Sequence, residues 1–138
     1  MWILDTDVIV AAIRSRTGAA AAILRSALLG QAEIGLSVAL LLEYEAVATR
    51  PEHVAASGMR TEDILEVIDT LAIVARPVHT YFLWRPQLRD ADDEMVLEAA
   101  VNGRASAIVT FNRRDFADAA GQFGIEILLP KQALETLR

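Results

Sequence analysis

The sequence contains no cysteine, which excludes disulfide bonds and thiolate metal sites. It has only two histidines, His53 and His79, so a metal site would have to use mainly oxygen ligands. Lysine occurs once, at Lys131, and the other basic residues are arginines. No apolar run reaches the ~20 residues that a membrane span needs.

The chain is nevertheless rich in apolar residues. Of its 138 residues 54% are hydrophobic, and the mean hydropathy is +0.33. These values predict a single domain over residues 1–138 with a substantial core. No basic segment precedes the first apolar run, so we expect no signal peptide and a soluble, cytoplasmic protein.

The net charge of −6 argues against binding nucleic acid through bulk charge alone. It does not exclude a nuclease, because a carboxylate cluster that holds divalent cations is strongly negative only while it is empty. Arginine also suits phosphate contacts, since its planar guanidinium can donate two parallel hydrogen bonds.

Short apolar runs alternate with helical patterns along the chain. The predicted strands cover residues 2–4, 32–36, 72–75, 107–110 and 125–129. The predicted helices cover residues 8–14, 19–29, 38–49, 61–71, 92–102 and 131–137. Ser37 is expected to cap the third helix, and Pro51 to prevent it from running on. This alternation predicts an α/β fold with a mainly parallel sheet covered on both faces.

Acidic and amide side chains follow several of these predicted strands, where sites form in open α/β sheets. They are Asp5 after the first strand, Asn112 after the fourth, Glu43 in the helix that follows the second, and Asp90, Asp92 and Asp93 at the start of the helix that leads into the fourth. Their convergence at one sheet edge favours Mg²⁺ or Mn²⁺, which take carboxylate ligands and can activate water at a phosphodiester.

Each of these acids also has a purely structural interpretation. Asp5 or Thr6 can cap the helix that follows it. Glu43, on an apolar helix face, can pair with an arginine. The acids from Asp90 to Glu94 can simply stabilise a helix N-terminus.

Four motifs, taken together, resemble the PIN-domain ribonucleases and among them the VapC-like toxins. The first is ILDTDVIV at residues 3–10, and the second is LEYE at residues 42–45. The third is DADDEMVLEAA at residues 90–100, and the fourth is IVTFNRRDF at residues 108–116. They occur in the family's order and span nearly the whole chain.

The resemblance implies a three-layer α/β/α sandwich and Mg²⁺- or Mn²⁺-dependent endonucleolytic cleavage of RNA. Asp5, Glu43 and Asp93 would hold the metal, and Asn112 would complete the ring. Thr6 or Thr110 would bond a phosphate or a metal-bound water. Arginines near the first and fourth motifs would contact RNA phosphates: Arg14, Arg16, Arg113 and Arg114. The resemblance further implies a homodimer and a small antitoxin that blocks the site, as in a type II toxin–antitoxin pair.

The sequence departs from the family pattern at three places. Asp7 stands where the family commonly has Asn. Asn112 leaves the fourth position neutral, or passes its role to Asp115. The third motif offers Asp90 and Asp92 as alternatives to Asp93.

Two other functions remain open at this point. A catalytically degenerate PIN-like binding module would keep the fold and lose metal affinity. An Asp-x-Asp phosphatase would explain Asp5 and Asp7, but it needs a lysine near the phosphate, and Lys131 lies next to the C-terminus.

Overall fold

The computed structural model describes residues 1–80 and 91–137, which contain five strands and eight helices. The strands are β1 (Trp2–Leu4), β2 (Gly35–Leu36), β3 (Arg76–Pro77), β4 (Ala107–Val109) and β5 (Glu126–Leu128). The helices are α1 (Thr6–Arg14), α2 (Ala19–Leu28), α3 (Val38–Ala48), α4 (Pro51–Ser57), α5 (Thr61–Val74), α6 (Ala91–Asn102), α7 (Arg113–Gln122) and α8 (Pro130–Thr136).

Every strand pairing among the described residues is parallel. β1, β4 and β5 form one sheet in that order, and β2 pairs with β3. A single parallel bridge from Trp2 to Ile34 connects β1 to the segment just before β2. β1 and β4 are apolar because they lie in the interior of the fold, and Ile3 and Ile108 at their centres are fully buried. The predicted α/β sandwich with a mainly parallel sheet is confirmed.

The helices pack around this sheet and around one another. α6 contacts β1, β2 and β4, while α1, α2 and α8 pack together. Tyr44 of α3 and Phe116 of α7 are the largest fully buried side chains. The strand order places the carboxyl ends of β1 and β4 side by side, with Leu4 opposite Val109.

Local capping agrees with the sequence at two helix starts. The Asp5 side chain accepts a hydrogen bond at the start of α1, and Ser37 Oγ accepts one from the backbone N–H of Leu40, 3.1 Å away, at the start of α3. Gly30 follows α2 with φ +75°, a conformation that glycine adopts without steric cost. The caps at Asp5 and Ser37 fix where the chain leaves β1 and β2, and Gly30 marks the end of α2.

One predicted strand is wrong and two helices were not predicted. Residues 72–74 continue α5, whose last turn is closed by the backbone N–H of Ala75 bonding to Leu71 O, and the strand β3 begins only at Arg76. α3 ends at Ala48, before Pro51, as expected, but Pro51 also occupies the first turn of α4, where its missing N–H costs nothing. α7 was missed because few of its side chains are buried.

Two further findings concern the membrane-span and aromatic-residue expectations. No helix within the described ranges is long and apolar enough to cross a bilayer. The aromatic residues Tyr81, Phe82 and Trp84 lie outside the described residues.

Candidate functional site

Asp5 lies at the junction of β1 and α1, directly beside the end of β4. Its backbone N–H donates to Val109 O at 2.9 Å. Its Oδ1 accepts the N–H of Thr6 at 2.8 Å, and its Oδ2 accepts the hydroxyl of Thr110 at 2.7 Å. The carboxylate therefore caps α1 and is at the same time fixed to β4, which leaves it 6% exposed.

Asp7 lies one residue into the first turn of α1 and binds the segment that follows β4. Its Oδ2 accepts the backbone N–H of Phe111 at 3.1 Å and the side-chain amide of Asn112 at 3.0 Å. Its Oδ1 is buried and has no hydrogen-bond partner among the described residues. A buried carboxylate oxygen without a partner is costly unless a ligand supplies one.

The pKa values of both aspartates are raised, chiefly by burial. Burial, followed by the nearby charge of Asp7, raises the pKa of Asp5 from 3.8 to about 7. Burial also raises the pKa of Asp7, although the hydrogen bond from the Phe111 backbone opposes that shift. No arginine, lysine or histidine of the described ranges forms an ion pair with either carboxylate. The buried Asp5 carboxylate and the half-buried Asp7 carboxylate thus lie together without an ion-pair partner among the described residues.

Tyr44 joins α3 to this junction. Its fully buried hydroxyl donates a hydrogen bond to the carbonyl of Leu4, the residue before Asp5. Burial raises the pKa of Tyr44 well above 10, and the charges of Asp5 and Asp7 raise it further, so the hydroxyl stays protonated. The turn of α3 that carries Glu43 is therefore tied to the end of β1.

A cleft of about 600 Å³ opens over the aspartate pair. Its acidic end collects half of the residues that the sequence nominated: Asp5, Thr6, Asp7, Glu43, Asp92, Asp93 and Asn112. α1, α3 and α6 and the segment after β4 each contribute, so groups distant in sequence line one cleft. Arg14, also nominated, lies in the lining of the same cleft.

Other nominated residues are placed elsewhere. Thr110 is fully buried behind Asp5 and acts through its hydroxyl, which also accepts the backbone N–H of Asn112 at 2.9 Å. Four do not line the cleft: Arg16, Arg113, Arg114 and Asp115. Asp90 lies outside the described residues. In the structure Asn112, and not Asp115, is next to the aspartate pair.

The donor set suits a hard divalent cation. Carboxylate oxygens of Asp5, Asp7, Glu43, Asp92 and Asp93 line the same space, and Asp7 Oδ1 has no other partner. Among the described residues, no three acidic or histidine side chains meet closely enough to form a complete metal site. The residues fit a site that keeps several water ligands, as Mg²⁺ sites usually do.

The far end of the cleft is basic, and sequence reasoning missed most of it. Arg50 and His53 line this end together with Arg14, and a guanidinium nitrogen of Arg14 lies 2.9 Å from His53 Nδ1. Arg50 is the N-cap of α4 and His53 lies within α4, the helix that the sequence did not predict. The only sequence signal for this basic end was Arg50, which directly precedes Pro51.

The comparisons with known proteins agree with this geometry. The family model described as PIN domain matches residues 2–114, which include every nominated site residue except Asp115. No curated protein matches the chain.

Proposed function

The chain belongs to the PIN-domain family, a nuclease fold that generally depends on divalent metal, and on this basis we propose that it is a metal-dependent endoribonuclease. Its substrate would be RNA, and its reaction the hydrolysis of a phosphodiester bond. The proposal rests on the family together with the geometry of the acidic end of the cleft.

One observation carries the proposal: Asp5 and Asp7 lie together at a buried junction, and the buried Oδ1 of Asp7 has no hydrogen-bond partner among the described residues. A fold gains nothing in stability from two buried, adjacent carboxylates that share no cation. Perturbed carboxylates of this kind cluster at functional sites. A divalent cation would neutralise both and give Asp7 Oδ1 its missing partner.

We propose that Asp5, Glu43 and Asp93, together with Asp7 through Oδ1, hold the cation partly through its water ligands, since no three acids of the described residues meet closely enough to bind it directly. Asp92, which also lines the cleft, is the alternative to Asp93. Thr110 and Asn112 are positioning residues, because their donors hold Asp5 Oδ2 and Asp7 Oδ2 respectively. Thr6 lies at the first turn of α1, where its hydroxyl can bond a phosphate oxygen.

Mg²⁺ or Mn²⁺, when bound, would activate water and stabilise the charge that develops on the scissile phosphate. The chain itself orients the carboxylates that would hold the cation. The backbone of β4 and the Thr110 hydroxyl fix the Asp5 carboxylate, and the Asn112 amide and the Phe111 N–H fix the Asp7 carboxylate. Preorganised groups of this kind need no rearrangement during the reaction.

The direct test incubates purified protein with single-stranded and structured RNA in Mg²⁺ or Mn²⁺ and then in EDTA. Asp5→Asn and Glu43→Gln remove the proposed ligands with little change in shape, and Asp118→Asn, an exposed acid on α7, is the matched control. We expect metal-dependent cleavage by the wild type and the control, and none by the other two variants. Cleavage that survives in both variants would show a contaminating nuclease.

The same experiment separates the alternatives. A folded protein that neither cleaves RNA nor binds Mn²⁺ in calorimetry would be a degenerate binding module. An Asp-x-Asp phosphatase would hydrolyse small phosphate monoesters, but Lys131 does not line the cleft that holds the aspartates.

We further propose that the enzyme is the toxin of a type II toxin–antitoxin pair and acts on cytoplasmic RNA. An antitoxin arginine would enter the acidic end of the cleft, where a guanidinium can bind carboxylates through two hydrogen bonds. Co-expression with the product of the adjacent gene would test this, since a cognate antitoxin would copurify and suppress cleavage.

We also propose that the chain forms a homodimer through α3 and α5. Val38 and Leu42 lie one turn apart on α3 and are 74% and 58% exposed, and Ile73 near the end of α5 is 83% exposed. α3 and α5 pack against each other in the fold. Clustered exposed apolar side chains favour a protein interface.

A further inference from the structure

The cleft is polarised along α1. Asp5 caps the N-terminus of this helix at the acidic end, and Arg14 is its last residue at the basic end. Both line the cleft, with Val10 and Ala11 between them. A helix rises 1.5 Å per residue, so Arg14 lies about 13 Å along the axis from Asp5. Arg14 and Asp5 form no ion pair, so their charged groups lie at separate points along the cleft.

The two arginines at the basic end have no carboxylate partner. Within residues 1–80 and 91–137, no acidic side chain lies within ion-pair distance of Arg14 or Arg50. The chain carries a net charge of −6, so acids are plentiful elsewhere on it. Two guanidinium groups that line one end of the cleft, without an ion-pair partner among the described residues, favour the binding of an anion there.

His53 shows how the basic end is organised. A guanidinium can only donate hydrogen bonds, so His53 Nδ1 must accept from Arg14 over their 2.9 Å contact. The imidazole is then neutral with its proton on Nε2, which leaves this N–H to donate elsewhere. Contact with His53 on α4 also restrains the long Arg14 side chain, which would otherwise lose entropy on binding.

Simple structural roles account for only part of this arrangement. Arg14 at the C-terminus of α1 interacts favourably with the helix dipole, whatever direction its side chain takes. That role explains neither the contact with His53 nor the placement of Arg50, on a different helix, in the same cleft wall.

We propose that Arg14, Arg50 and His53 form a phosphate-binding wall that holds the RNA backbone at a phosphate other than the scissile one. The inference rests on the proposed nuclease function and adds how the substrate is held. The RNA strand runs along α1, with one phosphate at the acidic end and a more distant one at the wall. An unpaired strand fits this path, since its backbone can follow one cleft without a second strand.

The test measures binding separately from cleavage. Fluorescence anisotropy with a fluorescein-labelled 12-nucleotide oligouridylate, in EDTA, gives the affinity at several salt concentrations for the wild type, Arg14→Gln, Arg50→Gln and the double variant. Arg60→Gln is the matched control, because it removes the same charge from an exposed arginine outside the cleft.

Each lost phosphate contact on a single strand lowers the slope of log affinity against log salt by ~0.7. We therefore expect each single variant to bind roughly tenfold more weakly at 50 mM salt and to have a shallower slope by that amount. The double variant should lose about twice as much slope, and Arg60→Gln should match the wild type.

The outcomes distinguish failure of the phosphate-binding wall from failure of the nuclease proposal. If the wild type cleaves RNA but all five proteins show the same slope, or the wild type shows no binding, the wall is overturned and the nuclease proposal stands. If the wild type neither binds nor cleaves RNA, both are overturned. A protein ligand of the wall, such as an acidic antitoxin segment, would produce the first of these results.

Discussion

At the scale of single residues, Asp5 has two roles with opposite effects on stability. As the cap of α1 it satisfies a backbone N–H, which stabilises the helix start. As a buried carboxylate next to Asp7 it is destabilising when charged, and its pKa rises to about 7. The residue that the proposed chemistry most requires therefore weakens the metal-free fold at neutral pH.

A dependence of stability on pH follows from this pKa. The folded state holds the Asp5 proton up to about pH 7, whereas the unfolded chain releases it near 3.8. Between these values the folded state binds more protons, so raising the pH destabilises it. The difference between these two pKa values corresponds to about 4 kcal/mol in the free energy of unfolding. This contribution is lost progressively as the pH rises from about 4 to 7.

Urea unfolding in EDTA across this pH range checks the prediction. Asp5→Asn should remove most of the decline, and it should make the metal-free protein more stable than the wild type at pH 8. Asp118→Asn should leave the decline as it is. A wild-type stability that rises between pH 4 and 7 would contradict the assignment of the proton to Asp5.

Thr110 offers a second test at this scale. Thr110→Val keeps the shape but removes the hydroxyl that donates to Asp5 Oδ2, so the charged carboxylate loses stabilisation. We expect the affinity for Mn²⁺, measured by calorimetry, to fall by about tenfold, which corresponds to about 1.4 kcal/mol. Thr70→Val, which removes an exposed hydroxyl bonded to its own helix, should bind Mn²⁺ like the wild type. Equal affinity in both variants would show that Thr110 does not position the ligand.

The rule that sites form beyond the carboxyl ends of parallel strands made part of this site predictable. It placed Asp5 and Asn112 together, although 107 residues separate them in the printed numbering. The hydrogen bonds that set the role of each residue were not predictable, because they depend on side-chain positions. The family resemblance predicted that Asn112 completes the metal ring, and the structure adds that its side-chain amide donates a hydrogen bond to Asp7.

At the scale of helices and strands, α3 and β1 are coupled through the buried Tyr44 hydroxyl. Tyr44→Phe leaves the Leu4 carbonyl without this donor, and we expect a loss of about 1–3 kcal/mol in the free energy of unfolding. The proposed ligand Glu43 is the preceding residue, so the affinity for Mn²⁺ should fall as well. Urea unfolding and calorimetry on the same preparation check both effects. Reduced stability with unchanged Mn²⁺ affinity would show that Tyr44 supports the fold alone.

The elements that the sequence failed to predict share a physical cause. Residues 72–74 are apolar and include two β-branched side chains, which favours a buried strand. In the structure Ile73 and Val74 are exposed on the last turn of α5, and no local pattern reveals an apolar run that faces outward. α7 has the opposite problem, because few of its side chains are buried. Tertiary contacts decide both cases.

Because α4 was not predicted, part of the candidate site was missed. Interpreting Pro51 as the end of a helix hid the helix that begins there, and with it the position of His53. The basic end of the cleft therefore could not be anticipated, although Arg14 was nominated from its position after the first motif. The acidic end depends on strand order, which the alternating pattern revealed.

At the scale of the whole molecule, the exposed apolar side chains of α3 and α5 bear on assembly. We expect Leu42→Asp and Ile73→Asp each to shift the protein from dimer to monomer in analytical ultracentrifugation, since a charge buried in an apolar interface is unfavourable. Leu29→Asp is the control, because Leu29 is 72% exposed but follows α2 and lies on neither α3 nor α5. A wild type that sediments as a monomer at all concentrations would refute the dimer.

The hydrogen bond between Thr110 and Asp5 spans 105 residues of chain, which has a consequence for biosynthesis. A ribosome releases the N-terminal residues first. Until β4 and Asn112 have emerged, the first acidic motif has no partner strand, and neither carboxylate is held in place. Under the proposed function, the message that encodes the chain would therefore not be exposed to an assembled site while most of the chain is still being made. RNA cleavage would begin only when the two distant segments meet.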